Sequence, residues 1–558
     1  MASLLLSRRD LDFLLYEWLD VPGDRDTYDA VLDLAEQIAT KDFATHNRRN
    51  DLEEPVFDNS SGTGKVILHE EVGKALKAYG EAGFIGAGMP ASVGGMELPA
   101  TICGALMAWF HAANVGTAAY PLLTVANANL LLAHGSEEMI ETFVKPMVEG
   151  RFFGTMCLSE PQAGSSLGDI TTKAERQEDG TYRVTGSKMW ISAGEHDLSE
   201  NIVHLVLAKV PGGPAGSKGI SLLVVPKLLA DGTRNGVSLT GINHKMGFRG
   251  TVNTALSFED ATGYLVGEEN RGLPYMFHMM NEARIGVGLG ATALGYTGYL
   301  HSLDYAKGRP QGRSGGDATT PQVPIIDHPD VRRMLLAQKA YVEGALALNL
   351  YCGRLVDTED ELLLSMLTPI AKSWPSQWCL EANSLAIQVL GGYGYTREYP
   401  VEQFYRDNRL NPIHEGTHGI QALDLLGRKM TQQGGAGLVK LAETIEATCA
   451  RAPEAYATQL RATLQHVVDT TQKVWGAGDV ALSLANATPY MEAVGHLVIA
   501  WIWLEQLVAA EGKDGDFYEG KRRAAQYFFH WELPKTAPLL DLVASLDRTT
   551  LDMETRYF

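Results

Sequence analysis

Cysteine is scarce in this chain. Its 558 residues hold five (Cys103, Cys157, Cys352, Cys379 and Cys449), an odd number without CxxC spacing. That argues against a disulfide framework or a Cys-type zinc site, and fits a reducing compartment. Basic residues are short as well: 47 Lys plus Arg against 67 Asp plus Glu leave a net charge of −20. Such an acidic surface repels polyphosphate backbones, so no nucleic acid partner is expected. The uncharged stretch 98–136 is long enough to raise a membrane span, but His111, Asn114, Pro121, Asn127 and Asn129 interrupt it. It reads as two buried helices of a helical domain, and no membrane span is expected. The Arg8-Arg9 pair of an export signal is present, yet Asp10, Asp12, Glu17 and Asp20 stand where its apolar segment belongs. A cytoplasmic location is expected.

Against those absences, 45% hydrophobic and 20% charged residues are the composition of a soluble globular enzyme, and the length suggests three or four domains. Residues 1–150 read as an N-terminal arm and an α-helical domain, with apolar residues at helical spacing over 29–38, 69–82 and 137–148. Residues 151–267 read as a β domain of short apolar runs between turn residues, such as 202–208 and 220–225. Helical periodicity returns over 268–432. His328-Pro329-Asp330 starts a helix there, and a second covers about 381–390, stopping at Gly391-Gly392. The Gly-rich stretch 433–437 opens a C-terminal helical extension, 433–558. The fold class is α+β, mainly α.

Four local patterns bear on chemistry. Gly288-Leu289-Gly290-Ala291-Thr292-Ala293 satisfies GxGxxG/A, but it lies inside a helix rich in small residues rather than between a strand and a helix. Gly391-Gly392-Tyr393-Gly394 is either a helix cap or a backbone contact for a cofactor. His414-Glu415-Gly416-Thr417-His418 matches HExxH, in which two histidines one helical turn apart bind zinc and the Glu activates water. Gly416 and Thr417 are poor residues for the regular helix that motif needs. Finally, Leu158-Ser159-Glu160-Pro161-Gln162-Ala163-Gly164-Ser165-Ser166 joins the helical region to the β region. Its hydroxyls and its glycine suit either a polar turn or a seat for a flavin edge or phosphate.

Taken in order, these segments resemble the acyl-CoA dehydrogenase family. Leu158 to Ser165 looks like its first signature and Trp190-Ile191-Ser192 like its flavin-facing strand. Lys245-Met246-Gly247 with Phe258-Glu259-Asp260 matches the end of its β domain. Gln388 to Gly394, Arg406-Asp407 and Glu415-Gly416-Thr417 follow. The likeness implies that family's fold: an N-terminal α-domain, a β-barrel-like middle domain and a four-helix bundle, here with an extra C-terminal helical domain. It implies FAD as cofactor and no metal, which makes HExxH a coincidence. Leu158, Ser159, Gly164 and Ser165 would hold the flavin, with Trp190, Ser192 and Thr417 near its ring. Arg309, Gln388, Gly391 and Gly392 would reach the FAD of a neighbouring subunit, implying a homo-oligomer, at least a dimer; His328 falls at a further position near the cofactor. Ser165, Asn281, Arg284 and Gly416 would contact the acyl-CoA. Glu415 would remove the α-proton while flavin N5 takes the β-hydride, giving a trans-2-enoyl-CoA. An electron-transferring flavoprotein would accept the electrons. An acyl-CoA oxidase on the same scaffold is the alternative within flavin chemistry, and a zinc metalloprotease through His414, Glu415 and His418 the alternative outside it. Some members place the catalytic Glu immediately before the residue at Arg284. Here that position is Ala283, and Glu282, one further back, points about 100° away. The arm and the C-terminal extension resemble a longer bacterial branch, which includes 3-methylmercaptopropionyl-CoA dehydrogenases and broad-range acyl-CoA dehydrogenases.

Overall fold

The structure, a computed structural model, describes residues 3–60, 62, 64–313, 315 and 319–558. Part of the linker between Arg309 and His328 therefore lies outside the described residues. The chain divides into two compact units, 25–99 with 109–283, and 1–24 with 100–108 and 284–558. This grouping cuts across the four segments read from the sequence: the bundle and the C-terminal extension share a unit from Arg284 onward.

In the first of these units, the helices Arg25–Ile38 and Glu70–Glu81 each bury one apolar stripe, through Tyr28, Leu32, Ala35 and Ile38, and through Val72, Ala75, Leu76 and Tyr79. Phe110 packs edge to face against both Phe43 and Tyr79, each at a centroid separation of 4.8 Å. Beside a two-stranded pair, β1 (Val56–Asp58) and β2 (Lys65–Ile67), lies a seven-stranded sheet. Its strands are β3 (Phe152–Cys157), β4 (Lys173–Arg176), β5 (Tyr182–Ser192), β6 (Asn201–Lys209), β7 (Ile220–Pro226), β8 (Val237–Ile242) and β9 (Asn253–Leu265). The pairings β6–β4, β4–β5, β5–β9, β9–β7 and β7–β6 close on themselves, with β3 added to β6 and β8 to β9. This is the barrel-like middle domain. Strand β7 is buried at every residue and β6 at all but its last, which explains their continuous apolar sequence.

In the other unit, the long helices Pro329–Asp357 and Glu361–Leu390 form the bundle with the C-terminal part of Gly272–Gly308. The expected helix over 381–390 is in fact the last third of Glu361–Leu390, which runs through Pro369 and Pro375. Proline normally ends a helix. Here every residue from Met366 to Ser376 is buried, so tertiary packing overrides the local preference. The extension adds Glu454–Gly476, Ala487–Ala509, Asp516–Tyr527 and Thr536–Ala544. A buried charge cluster ties it to the arm and the bundle. The Lys521 ammonium lies 2.5 Å from Asp10 and 2.9 Å from Glu343, and the Tyr296 hydroxyl donates to Asp10.

The stretch 98–136, read as two helices, is two helical segments of Ala100–His134 on either side of a kink at Asn114, whose backbone leaves the helical region. The Asn114 amide donates to the Phe43 carbonyl and its oxygen accepts from Thr117 N–H, so a side chain replaces the lost helical bonds. Ala100–His134 and Ala487–Ala509 are each long and apolar enough to cross a membrane, with 67% and 83% of their apolar windows buried.

Three histidines of the barrel unit are fully enclosed. Burial holds His111 down at about 4, and His196 and His204 at about 3, from an ordinary 6.5. Unfolded, each takes up a proton near 6.5; folded, none does until the pH is far lower. Their contribution is complete above pH 6.5 and is lost as the pH falls toward the folded values. The unfolding temperature is therefore expected to drop steadily from pH 6.5 to pH 4, by calorimetry, at roughly 2 kcal/mol per histidine by about pH 5. His204→Gln flattens that slope; an unchanged slope would contradict the assignment.

Candidate active site

Two constellations, one in each unit, gather most of the residues singled out above. In the barrel unit, Leu158 and Ser159 are half-buried and Gly164, Ser165 and Ser166 exposed on the turn that follows β3. The turn closes through reciprocal backbone bonds between Glu160 and Ala163. Its anchor is the Glu160 carboxylate, which accepts from the amides and hydroxyls of Thr171 and Thr172. It also accepts from the Lys188 ammonium at 3.0 Å, with both side chains at most 1% exposed. Burial alone would raise this carboxyl; the Lys188 charge and the threonine donors hold it down at about 2. Lys188 donates as well to the Leu158 carbonyl, and Met189 N–H to that of Ser159. The backbone of the signature is thus fixed from behind. Among the described residues, the Ser159, Ser165 and Ser166 hydroxyls have no acceptor or donor in the chain.

Next along β5, the register against β9 slips between Lys188 and Ile191. Trp190 occupies that bulge at φ +66° with 59% of its surface exposed. A bulky residue in the left-handed region is a genuine outlier, and bulges redirect side chains. An indole held out of the sheet in this way is positioned to lie against a flat ligand. Ser192, half-buried, accepts weakly from Asn253 at 3.4 Å.

In the other unit, the loop after Val401–Asn408 carries Glu415. The pentapeptide 414–418 is a turn, not a helix: Glu415 stands at φ +52° and Gly416 at φ +85°, and the helix His418–Asp424 begins only with the second histidine. Glycine is favoured at 416 by its φ of +85°, a backbone conformation that side chains rarely adopt. Thr417 caps the helix, its hydroxyl accepting from Ile420 N–H. His414 bonds Asn411, and His418 bonds the Ser373 hydroxyl. The two histidines do not share a helical face, so the geometry of the zinc motif is missing. No group of three or more His, Cys, Asp or Glu that could hold a metal occurs among the described residues.

Burial raises the Glu415 carboxyl, partly opposed by Lys372 and Arg284. Both cations are engaged elsewhere. Lys372 donates to the carbonyls of Asn411 and Gly416 at 2.7 Å each, and Arg284 pairs with Asp424 at 3.2 Å. Gln421 donates to the Glu415 carbonyl. Among the described residues, the N–H groups of Glu415 and Gly416 have no acceptor in the chain. Lys372, Gln421 and Asp424 were not singled out from the sequence. The available signal was a lysine inside the apolar run Thr368 to Trp374.

Arg309, Gly391 and Gly392 line a groove of about 430 Å³ with Tyr305, Tyr393 and Thr396. The Arg309 guanidinium stands 5.8 Å from the Tyr393 ring. Gln388 is exposed on the preceding helical turn and is not among the lining residues; His328 bonds the Gln311 carbonyl at 2.7 Å and so shapes the linker instead. Asn281 is exposed and belongs to the barrel unit, unlike Arg284. Glu282 is occupied by the Asn129 amide.

Comparison with known proteins covers nearly the whole chain. Residues 26–151, 155–261 and 270–430 match the N-terminal, middle and C-terminal domains of acyl-CoA dehydrogenases, and 441–554 match a domain described as acetyl-CoA dehydrogenase C-terminal like. The chain belongs to the acyl-CoA dehydrogenase family. It is 38% identical over 499 residues to 3-methylmercaptopropionyl-CoA dehydrogenase of Ruegeria pomeroyi, covering 83% of this chain and 84% of that one. It is 34% identical to the broad-specificity linear acyl-CoA dehydrogenase FadE5 of Mycobacterium tuberculosis, covering 97% and 95%. Among solved structures, Caenorhabditis elegans ACDH-11 in complex with C11-CoA superposes with a TM-score of 0.81 over 98% of this chain and 94% of that one. At 18% identity, that likeness speaks of the fold. As an acyl-CoA dehydrogenase, this protein is an FAD-dependent oxidoreductase. The turn with uncommitted hydroxyls and the outward Trp190 fit that cofactor.

Lys188→Met strands the Glu160 carboxylate inside the barrel unit. Breaking a buried pair in this way is expected to cost about 3–5 kcal/mol in urea unfolding and to lower the flavin bound per chain. Wild-type stability would show that the threonine donors suffice alone.

Proposed function

We propose that the protein catalyses α,β-dehydrogenation of an acyl-CoA thioester with Glu415 as the base, yielding a trans-2-enoyl-CoA. The observation that carries this reading is the Glu415 turn, where a half-buried carboxylate of raised basicity stands beside uncommitted backbone N–H groups. Removing a proton α to a thioester needs a base in a water-poor place, tuned upward from an ordinary carboxylate. Glu415 takes the proton, and its own N–H polarises the thioester carbonyl as enolate character develops. FAD, when bound, supplies the acceptor for the hydride that leaves Cβ. Leu158, Ser159, Gly164, Ser165, Trp190, Ser192 and Thr417 are assigned to hold it. Arg284 and Asn281, with Ser165 and Gly416, are assigned to the acyl-CoA.

The groove around Arg309, Gly391 and Gly392 supports a homodimer in which these residues serve the cofactor of a neighbouring copy. An electron-transferring flavoprotein as acceptor, a cytoplasmic location and the lack of a membrane span belong to the same proposal. The relatives' names suggest a panel of short linear and 3-methylmercaptopropionyl thioesters as substrates to compare.

Glu415→Gln is expected to retain bound FAD and acyl-CoA affinity while losing acyl-CoA-dependent flavin reduction by a factor of roughly 10² or more, read by anaerobic stopped flow. Retained reduction removes Glu415 as the base. Arg284→Ala is expected to raise the acyl-CoA dissociation constant roughly tenfold; an unchanged constant moves the thioester site elsewhere.

A further inference from the structure

The Lys372 side chain is fully buried in the middle of Glu361–Leu390, between Pro369 and Pro375. Among the described residues, no carboxylate oxygen lies within ion-pair distance of its ammonium. Two of its three donors go instead to the carbonyls of Asn411 and Gly416, which bracket Glu415. The Gln421 amide takes the Glu415 carbonyl between them. Three carbonyls of one short turn are therefore held by two side chains, and the N–H groups of Glu415 and Gly416 are left uncommitted. Two successive residues at positive φ persist only where the surroundings over-determine them. A neutral donor would serve such a turn at a smaller desolvation cost, so a buried ammonium here calls for an electrostatic reason.

That reason is the base. Resting on the reading that Glu415 abstracts the α-proton, we propose that Lys372 is a positioning residue for the reaction: it fixes the turn that aims the Glu415 carboxylate, and its charge keeps that carboxylate ionised. The charged and titratable groups around it are Glu415 on the loop, Arg284 on Gly272–Gly308 and His418 on His418–Asp424. Arg284 is paired with Asp424, and burial holds His418 down at about 4 with Lys372 opposing its protonation further. Burial also brings the Lys372 ammonium down to about 7, with Glu415 supporting the charge and Arg284 opposing it. Without the ammonium, burial acts on Glu415 with less opposition, so its proton is held to higher pH and less base is available at neutrality.

The test uses full-length holoenzyme carrying Lys372→Met or Lys372→Arg, with Glu415→Gln beside them. Difference infrared spectroscopy without substrate reads the protonation midpoint of the Glu415 carboxyl, identified by its absence in Glu415→Gln. Anaerobic stopped flow with butyryl-CoA reads flavin reduction from about pH 6 to about pH 9. Lys372→Met is expected to raise the midpoint by about one unit or more and to slow reduction roughly hundredfold at neutral pH, with partial recovery at higher pH. Lys372→Arg keeps the charge and is expected to hold the midpoint near that of the wild type while slowing reduction, because a planar guanidinium cannot reproduce both carbonyl contacts. Wild-type midpoint and rate in Lys372→Met would overturn the proposal. Should that variant fail to hold FAD, Lys372→Arg decides, and a wild-type rate in it overturns the proposal. Reduction retained in Glu415→Gln would instead sink the base assignment itself. Glu415→Gln inactive beside a fully active Lys372→Met would sink only the role of Lys372.

Discussion

A carboxylate that is to act as a base must be kept from water without being captured by a cation. That constraint shapes the loop between Val401–Asn408 and His418–Asp424. Burial raises the Glu415 carboxyl, and the two nearest cations are both turned to other acceptors, Lys372 to peptide carbonyls and Arg284 to Asp424. A direct ion pair would lower the basicity that the chemistry needs. Charges held close but bonded elsewhere moderate the effect of burial without cancelling it.

Elsewhere the chain meets the same cost of burying charge by direct pairing, and the purpose there is architectural. Glu160 and Lys188 neutralise each other inside the barrel unit and fix the backbone of the turn at Leu158 and Ser159. Lys521 between Asp10 and Glu343 binds the N-terminal arm and the C-terminal extension to the bundle. Fully paired groups of this kind specify which segments meet, more than they add stability. The Glu415 carboxylate differs from these in having no ion pair or hydrogen bond within the chain among the described residues. A half-buried carboxylate without an ion pair, beside a buried ammonium that bonds only peptide carbonyls, marks the place where chemistry is assigned.

Much of this could be read in advance, for identifiable reasons. The strands at 202–208 and 220–225 were legible because buried strands require unbroken apolar runs. The misfit of Gly416 and Thr417 to a regular helix was legible and counted against the zinc motif, while the turn itself is a finding of the structure. The prolines concealed the true extent of Glu361–Leu390, because their tolerance depends on burial that local pattern does not encode. Two helices were legible over Ala100–His134, but not the position of the break between them, since the Asn114 side chain taking over backbone bonds is a tertiary event. Glu160 belonged to a recognised signature, yet its role as anchor depended on Thr171, Thr172 and Lys188 arriving through the sheet. Lys372 was visible only as a charge inside an apolar run, and its target lies some forty residues on, at Asn411 and Gly416.

The central claim is that this chain oxidises acyl-CoA thioesters through a bound flavin. The most direct measurement is the visible absorption spectrum of the purified wild-type protein, recorded anaerobically before and after addition of propionyl-, butyryl- and 3-methylmercaptopropionyl-CoA. A flavin spectrum that bleaches stoichiometrically with at least one thioester is the expected result. A flavin that stays oxidised with every thioester, or a protein purified without flavin that gains none on incubation with FAD, would contradict it.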